Sequence, residues 1–405
     1  MMPYIRHLCA QERRSYKLKF AEVNLLRSVT TAISVGITFL LAIPTSSPIA
    51  QGLDTPARNA YVIDLATNTI LLEKAADNPM PPASMSKLMT VYMVFDRLKK
   101  GSLSLDDKFQ VSRKAWRKGG SKMFVKLGER ISVSDLLRGI IVQSGNDACI
   151  VVAEGLGGSE DTFSKMMTRR AKEIGMTSSN FANSTGWPDP KHYMSARDIA
   201  VLSSRLMSDF PELYKIFAEK TFTYSKIKQS NRNPLLYRDI GSDGLKTGYT
   251  KDAGYGLAAS AIRGDRRIVM VINGLQSIRQ RSQESVRLME WAFRLFKPYE
   301  LFKKGEVITK ADIWLGDEAS VALQIPDDLK ITLSREARDK MEVKVRMKSP
   351  VAAPVRKGQK LATLVISAPN LKTREIPLTA AHDVGQLGFV GRIGAAIKHV
   401  LWGSS

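Results

Sequence analysis

Ser84-Met85-Ser86-Lys87 sets a hydroxyl and an amine three residues apart, directly after Pro81-Pro82-Ala83 and at the head of an apolar run from Leu88 to Leu98. Residues three apart on a helix share a face, so the Lys87 amine can reach the Ser84 hydroxyl. A serine hydroxyl is a weak nucleophile at neutral pH and needs a base beside it. Lysine becomes that base when burial and neighbouring charge depress its pKa. Two more polar groups extend the set. Ser144-Gly145-Asn146 offers a hydroxyl and an amide that can pass a proton to a leaving amine and hold a carbonyl. Lys246-Thr247-Gly248 offers a cation and a hydroxyl for an anionic substrate end, with a glycine that lets another backbone approach closely.

Taken singly, each group has a plain structural alternative. Ser144 to Asn146 reads equally as a polar kink between helices, and Lys246 as a charge blunting a strand edge. Both spacings also recur by chance. Ser225-Lys226-Ile227-Lys228 sits in a polar run, Lys220 to Arg232, with no apolar helix to bury its lysine, and Ser178-Ser179-Asn180 repeats the second pattern. The argument rests on the set. S-x-x-K, S-x-N and K-T-G in that order form the signature of active-site serine penicillin-interacting enzymes, here with S-G-N in place of S-D-N.

The elements that must position these groups read as follows. Tyr61 to Leu65 and Thr69 to Glu73 flank Ala66-Thr67-Asn68 and predict a hairpin. Leu88 to Leu98 is apolar nearly all round and bounded by Pro-Pro and Lys99-Lys100-Gly101, which predicts a buried helix. Leu136 to Leu156 predicts a second apolar helical stretch, interrupted by Gln143 to Asp147. Gly244 to Gly248, Tyr255 to Ile262 and Arg267 to Gly274 predict consecutive antiparallel strands. Arg281 to Phe296 returns to helical spacing. The expected class is α+β, an antiparallel sheet flanked by helices. From Lys297 onward short alternating runs such as Glu342 to Met347 and Leu361 to Ile366 predict a small all-β domain. Leu387 to Trp402 spaces Phe389, Ile393, Ile397, Val400 and Leu401 as an amphipathic helix suited to a membrane interface or to docking on its own protein.

The chain begins with a basic stretch to Arg27, an apolar stretch from Val29 to Ile43 and a small-residue exit ending at Ala50. That order is the order of a secretory signal, either cleaved or kept as an N-terminal anchor, and in both cases the bulk of the chain is expected to leave the cytoplasm. The expected division is therefore a signal segment at 1–50, a catalytic domain at 51–296, a β domain at 297–386 and the amphipathic helix at 387–405. With 61 Lys and Arg against 39 Asp and Glu, the net charge is +22, which suits an anionic partner or, equally, a solvated basic surface with no dedicated partner. The basic residues are dispersed and no nucleic-acid motif accompanies them, so nucleic acid is excluded as that partner. Cys9 falls in the signal segment, which leaves Cys149 as a single buried thiol. His7, His192, His382 and His399 are scattered without metal-site spacing, and His192 is read as structural.

Together with Asn183-Ser-Thr-Gly-Trp-Pro-Asp189, His192-Tyr-Met-Ser-Ala-Arg-Asp198 and Ser144-Gly-Asn-Asp-Ala-Cys149, these motifs make the chain resemble a family. It is similar, from about Arg58 to the C-terminus, to the low-molecular-mass penicillin-binding proteins that are serine-type D-alanyl-D-alanine carboxypeptidases. The resemblance implies the penicillin-binding and β-lactamase-like transpeptidase fold. It implies hydrolysis of the terminal D-Ala-D-Ala bond of peptidoglycan stem peptides, with β-lactams acylating the same serine. Ser84 would be the nucleophile and Lys87 its base. Ser144 and Asn146 would complete the proton relay and position the peptide. Lys246, Thr247 and Gly248 would line the carboxylate end, with Arg281 near that carboxylate. The N–H groups of Ser84 and Tyr249 would form the oxyanion hole. No cofactor or metal is implied. The terminal helix would hold the exported protein at the periplasmic face of the cytoplasmic membrane. Trp187 departs from the leucine common in the family. A β-lactamase would need a glutamate-held water, and 181–197 contains no glutamate. A peptidoglycan DD-endopeptidase is hardly separable by sequence, and a non-catalytic wall-binding adaptor has no need of the serine–lysine pair.

Overall fold

The computed structural model describes residues 53–369, 371–389 and 391. The expected signal segment and most of the expected terminal helix lie outside these residues. The described residues fall into two compact units: 53–299 with 330–335, and 300–329 with 336–391.

The larger unit is built on a five-stranded antiparallel sheet. Its strands are β1 (Asn59–Asp64), β2 (Thr69–Lys74), β3 (Ser242–Thr250), β4 (Gly254–Arg263) and β5 (Arg266–Leu275), in the spatial order β2-β1-β5-β4-β3. The predicted hairpin is β1 and β2, and the predicted run of three strands is β3 to β5. Alternation along β5 shows how the sheet divides its residues. Val269 and Val271 enter one apolar core, while Ile268, Met270 and Ile272 enter another. Period-two side chains on a sheet covered on both faces produce this division.

The first core holds the helices α1 (Lys87–Lys99), α2 (Val133–Ile141), α3 (Asn146–Gly157), α4 (Glu160–Glu173) and α5 (Ala196–Asp209). The second core is covered by α6 (Ile278–Leu295). Serine caps start four of them. Ser132, Ser159, Ser195 and Ser277 each accept the backbone N–H three residues on, satisfying a donor the helix cannot. From Lys87 through Phe95 every residue of α1 is buried, as its all-round apolar sequence predicts. It packs against α2, α3, α4, α5 and β3, so its first turn lies at the centre of the unit.

In the smaller unit, a six-stranded sheet combines Glu342–Met347, Lys360–Ser367, Arg374–Ala380, Ser320–Gln324, Val307–Trp314 and Val351–Ala352, in that spatial order. Inward residues such as Leu364, Ile366, Leu378 and Val321 are buried. The all-β expectation holds here, apart from one short helix, Arg335–Asp339.

Candidate active site

Ser84 stands in a 3-10 turn, Ala83–Ser86, and Lys87 opens α1 behind it. The turn differs from the α-helix that the sequence suggests, and it improves the pairing. In 3-10 geometry residues i and i+3 eclipse. Lys87 Nζ lies 2.8 Å from Ser84 Oγ. Ser84 is partly exposed, while Lys87 has no exposed surface at all. Burial lowers the Lys87 amine to about 8, with Arg232 and Lys118 pushing the same way.

A second contact fixes the amine. Lys87 Nζ donates to Thr185 O at 2.6 Å. The loop carrying that carbonyl is held by two carbonyl or carboxylate groups. Asn183 Oδ1 accepts the N–H groups of Thr185, Gly186 and Trp187 and the Thr185 hydroxyl. Glu160 Oε1 accepts both the N–H and the hydroxyl of Ser184, and its other oxygen pairs with Lys114 at 2.7 Å. Gly186 adopts φ +77°, and a Cβ there would fall 1.9 Å from Ala83 O. Only glycine fits that approach to the nucleophile's turn.

The segment between α2 and α3 brings Ser144, and the first residue of α3 is Asn146. Ser144 is 1% exposed, takes φ +60° and finds no hydrogen-bond partner for Oγ among the described residues. A non-glycine residue in this conformation with an unsatisfied buried hydroxyl is a strained, costly arrangement. Asn146 Nδ2 donates to Gly119 O at 2.8 Å, and its backbone N–H donates to Ser121 O. Next to it the buried Asp147 carboxylate accepts the N–H groups of Met123, Phe124, Val125 and Ala148. Asp147 thereby ties 119–125 to the head of α3.

β3 is the end strand of the sheet and brings Lys246, Thr247, Gly248 and Tyr249. Lys246 and Thr247 are buried, whereas Tyr249 is exposed and stacks on Tyr255 with ring centroids 4.1 Å apart. A Cβ on Gly248 would lie 2.9 Å from Pro82 O, so β3 runs directly against the turn of Ser84. Lys246 is held well below the usual lysine range by burial, then by Lys87 and Arg232, with Arg281 adding to it. Arg281 projects from α6 over Tyr255, is buried, and leaves Nε without a partner among the described residues. The three motifs and Arg281 therefore meet in one place.

The chance repeats go elsewhere. Ser225 and Lys226 form the turn between two short strands, Thr221–Tyr224 and Ile227–Ser230. Ser178 and Ser179 bond the Asp198 carboxylate. His192 accepts the Ala182 N–H at Nδ1 and meets Ser86 Oγ through Nε2 at 2.7 Å. Burial lowers it to about 4, so it stays neutral and holds the turn from behind. Cys149 is buried and pushed up to about 12 by burial, which leaves it a thiol. Among the described residues no group of three or more His, Cys, Asp or Glu side chains is placed to hold a metal ion.

Sequence reasoning passed over Lys118, Asp147, Glu160, Asn183 and Arg232. Asp147 and Asn183 lie inside segments already singled out, and their burial could have been argued from the need to satisfy polar groups there. Lys118, Glu160 and Arg232 carried no signal. Arg232 closes the polar run that holds the chance Ser225–Lys228 repeat, yet its charge acts on Lys87, Lys246 and Arg281.

Residues 45–277 match the family described as D-alanyl-D-alanine carboxypeptidase. The chain belongs to the D-alanyl-D-alanine carboxypeptidase family. The carboxypeptidase also matches the penicillin-binding protein 5 C-terminal domain over residues 296–386. It is 36% identical over 378 residues to the D-alanyl-D-alanine carboxypeptidase DacC of Escherichia coli, covering 90% of this chain and 94% of that one. It superposes on penicillin-binding protein 5 from Haemophilus influenzae with a TM-score of 0.71 at 34% identity, over 83% of this chain and 100% of that one. Penicillin-binding protein D2 from Listeria monocytogenes, solved in its ampicillin-bound form, gives a TM-score of 0.54 at 31% identity, over 59% of this chain and 97% of that one. The carboxypeptidase is thus a serine-type hydrolase of D-Ala-D-Ala ends with the penicillin-binding fold.

Proposed function

We propose that the carboxypeptidase works through an acyl-enzyme on Ser84, in an exported protein held at the periplasmic face of the cytoplasmic membrane. Lys87 takes the Ser84 proton as Oγ attacks the carbonyl carbon of the penultimate D-alanine. The N–H groups of Ser84 and Tyr249 receive the developing oxyanion. Collapse breaks the peptide bond, and the leaving D-alanine amine receives the proton from Lys87 through Ser144. Asn146 holds the acyl-side amide. Lys246, Thr247 and Arg281 take the terminal carboxylate. Water then gives a proton to Lys87 as it attacks the ester carbonyl, Lys87 passes that proton to Ser84 Oγ as the ester C–O bond breaks, and the shortened peptide leaves with Ser84 restored. Penicillins stop at the ester, because their acyl group resists that water.

One observation carries this reading: a fully buried amine, lowered to about 8, stands 2.8 Å from a partly exposed serine hydroxyl. The unsatisfied Ser144 hydroxyl and Arg281 Nε favour it too, since each has a partner to gain from substrate. The ampicillin-bound relative supports β-lactam acylation. For export and membrane attachment the support is the order of the first 50 residues and the apolar stripe from Leu387 to Trp402. No helix among the described residues is long and apolar enough to cross a membrane.

Intact-mass measurement after benzylpenicillin tests the mechanism. The expected result is one penicilloyl adduct that peptide mapping assigns to Ser84, absent in Ser84→Ala together with D-alanine release. Release of D-alanine by Ser84→Ala at the wild-type rate overturns it.

A further inference from the structure

The reaction at Ser84 uses few of the basic residues, and the fold gathers others on one face. From Arg113 to Arg130 seven residues are Lys or Arg and one is acidic, and from Lys220 to Arg232 four are Lys or Arg and none is acidic. These two stretches lie side by side. Gln229 Nε2 donates to Lys122 O at 3.0 Å, Arg232 donates to Ser121 Oγ at 2.7 Å, and the Tyr224 hydroxyl donates to Glu129 Oε2 at 3.0 Å. The hairpin of Thr221–Tyr224 and Ile227–Ser230 therefore runs along 121–129, with its turn at the Glu129 end. Glu129 is taken by Tyr224, and Lys126, Lys226 and Lys228 are exposed with no ion pair among the described residues.

A basic face that only meets water has no need to show apolar side chains. This one exposes Phe124, Leu127 and Ile227, with Phe124 at 45%. Phe124 also takes φ +67°, which is costly for a bulky residue. The Asp147 carboxylate holds the turn by accepting the N–H groups of Met123, Phe124 and Val125. Met123 and Val125 go into the core, and the Phe124 ring is left facing out. Apolar surface rimmed by polar groups marks an interaction site.

The rim says what kind of partner fits. Thr221, Thr223, Ser225 and Ser230 are exposed on the hairpin, among its lysines. Lysines answer carboxylates, hydroxyls exchange hydrogen bonds with sugar hydroxyls, and the electron-rich face of an aromatic ring packs on sugar C–H groups. A lipid surface leaves the row of hydroxyls without a use. The loop is also continuous with the cleft, because Asn146 bonds Gly119 O and Ser121 O. A polymer with one stem peptide in the cleft is thereby brought against this face, and a second contact by a tethered ligand is made at high effective concentration.

We propose that the face formed by 122–128 and 221–230 is a docking surface outside the cleft for the carboxylated sugar–peptide polymer that carries the stem peptides. Lys126, Lys226 and Lys228 meet carboxylates of stems neighbouring the one being cut, and Phe124 packs on the sugar chain. The proposal rests on the Ser84 mechanism above and adds to it a preference for polymer over free peptide.

The test compares D-alanine release from insoluble peptidoglycan with release from a soluble acetylated tripeptide ending in D-Ala-D-Ala. The readout is the ratio of the two rates, in which any effect on the reaction itself cancels. Reversing Lys126, Lys226 and Lys228 together to Glu is expected to lower the ratio about tenfold, as three modest surface contacts combined give. Replacing the same three by Arg keeps it. Phe124→Ala lowers it about threefold, and raising the salt lowers the wild-type ratio through screening. Lys165, Lys172 and Lys215, also exposed, supply the control for net charge, and reversing them to Glu keeps the wild-type ratio. Sedimentation of Ser84→Ala with peptidoglycan, with and without the three reversals, reads binding apart from turnover. A wild-type ratio in the Lys126, Lys226 and Lys228 reversal overturns the docking surface and leaves the Ser84 mechanism standing. So does a reversal that abolishes binding to phosphatidylglycerol vesicles but not to peptidoglycan, which would make this a membrane face. Wild-type protein that releases D-alanine from neither substrate and forms no benzylpenicillin adduct overturns both.

Discussion

Lys87 meets two demands that pull against each other. To take a proton from Ser84 it must be neutral, and to return one to the leaving amine it must be able to hold a charge. Complete burial lowers it to about 8, and Asp147 and the Thr185 carbonyl keep the charged form within reach. A base with this value has roughly a tenth of its population neutral at pH 7. Acylation by benzylpenicillin is therefore expected to rise about tenfold from pH 6 to pH 7 and to level above about pH 8. His192, neutral above about 4, contributes no inflection in that range. Stopped-flow labelling across pH 5.5–9 checks this, and a flat profile would remove Lys87 as the base. Lys87→Arg keeps the cation but holds its proton throughout. The expected loss of acylation is roughly a thousandfold, with thermal unfolding still cooperative.

At the scale of elements, the site depends on loops pinned by single side chains. Asp147 joins the head of α3 to Met123, Phe124 and Val125, and Asn183 folds the loop that presents Thr185 O. These loops carry groups that have no helix or strand to satisfy them, so a buried oxygen acceptor does so. Asp147→Ala strands those N–H groups. The expected cost is about 3 kcal/mol of stability in urea unfolding, with slower benzylpenicillin labelling because Asn146 loses its support. Asp147→Asn retains one oxygen acceptor and should lose less on both counts. An alanine variant as stable as wild type would mean that 119–125 is held by other contacts.

Across the whole molecule, the excess of positive charge and the apolar stripe after Leu387 suit a surface of anionic headgroups. A chain ending at residue 386 is expected to stay in the supernatant when vesicles containing one-third phosphatidylglycerol are sedimented, whereas the full chain pellets with them. Hydrolysis of a soluble D-Ala-D-Ala peptide by the two should match, since the cleft lies in the larger unit. Equal pelleting would assign attachment to the rest of the basic surface.

The linear order of residues determined more of this protein than its composition would suggest. Local rules sufficed where partners are near in sequence. The Ser84–Lys87 spacing, the buried run of α1, the β3–β5 hairpins and the alternating strands after Lys297 all follow from helix and strand periods acting over a few residues. Even there, the turn at Ser84 proved 3-10, and β3 and Gly186 pack against it from segments far along the chain. What only the tertiary structure decided is which distant charges share the cleft. Lys118 and Arg232 sit in unremarkable polar stretches, and nothing in their neighbours' identities points inward. Their effect on Lys87 and Lys246 arises from distance in space and from the exclusion of water. Periodicity carries no information about either quantity.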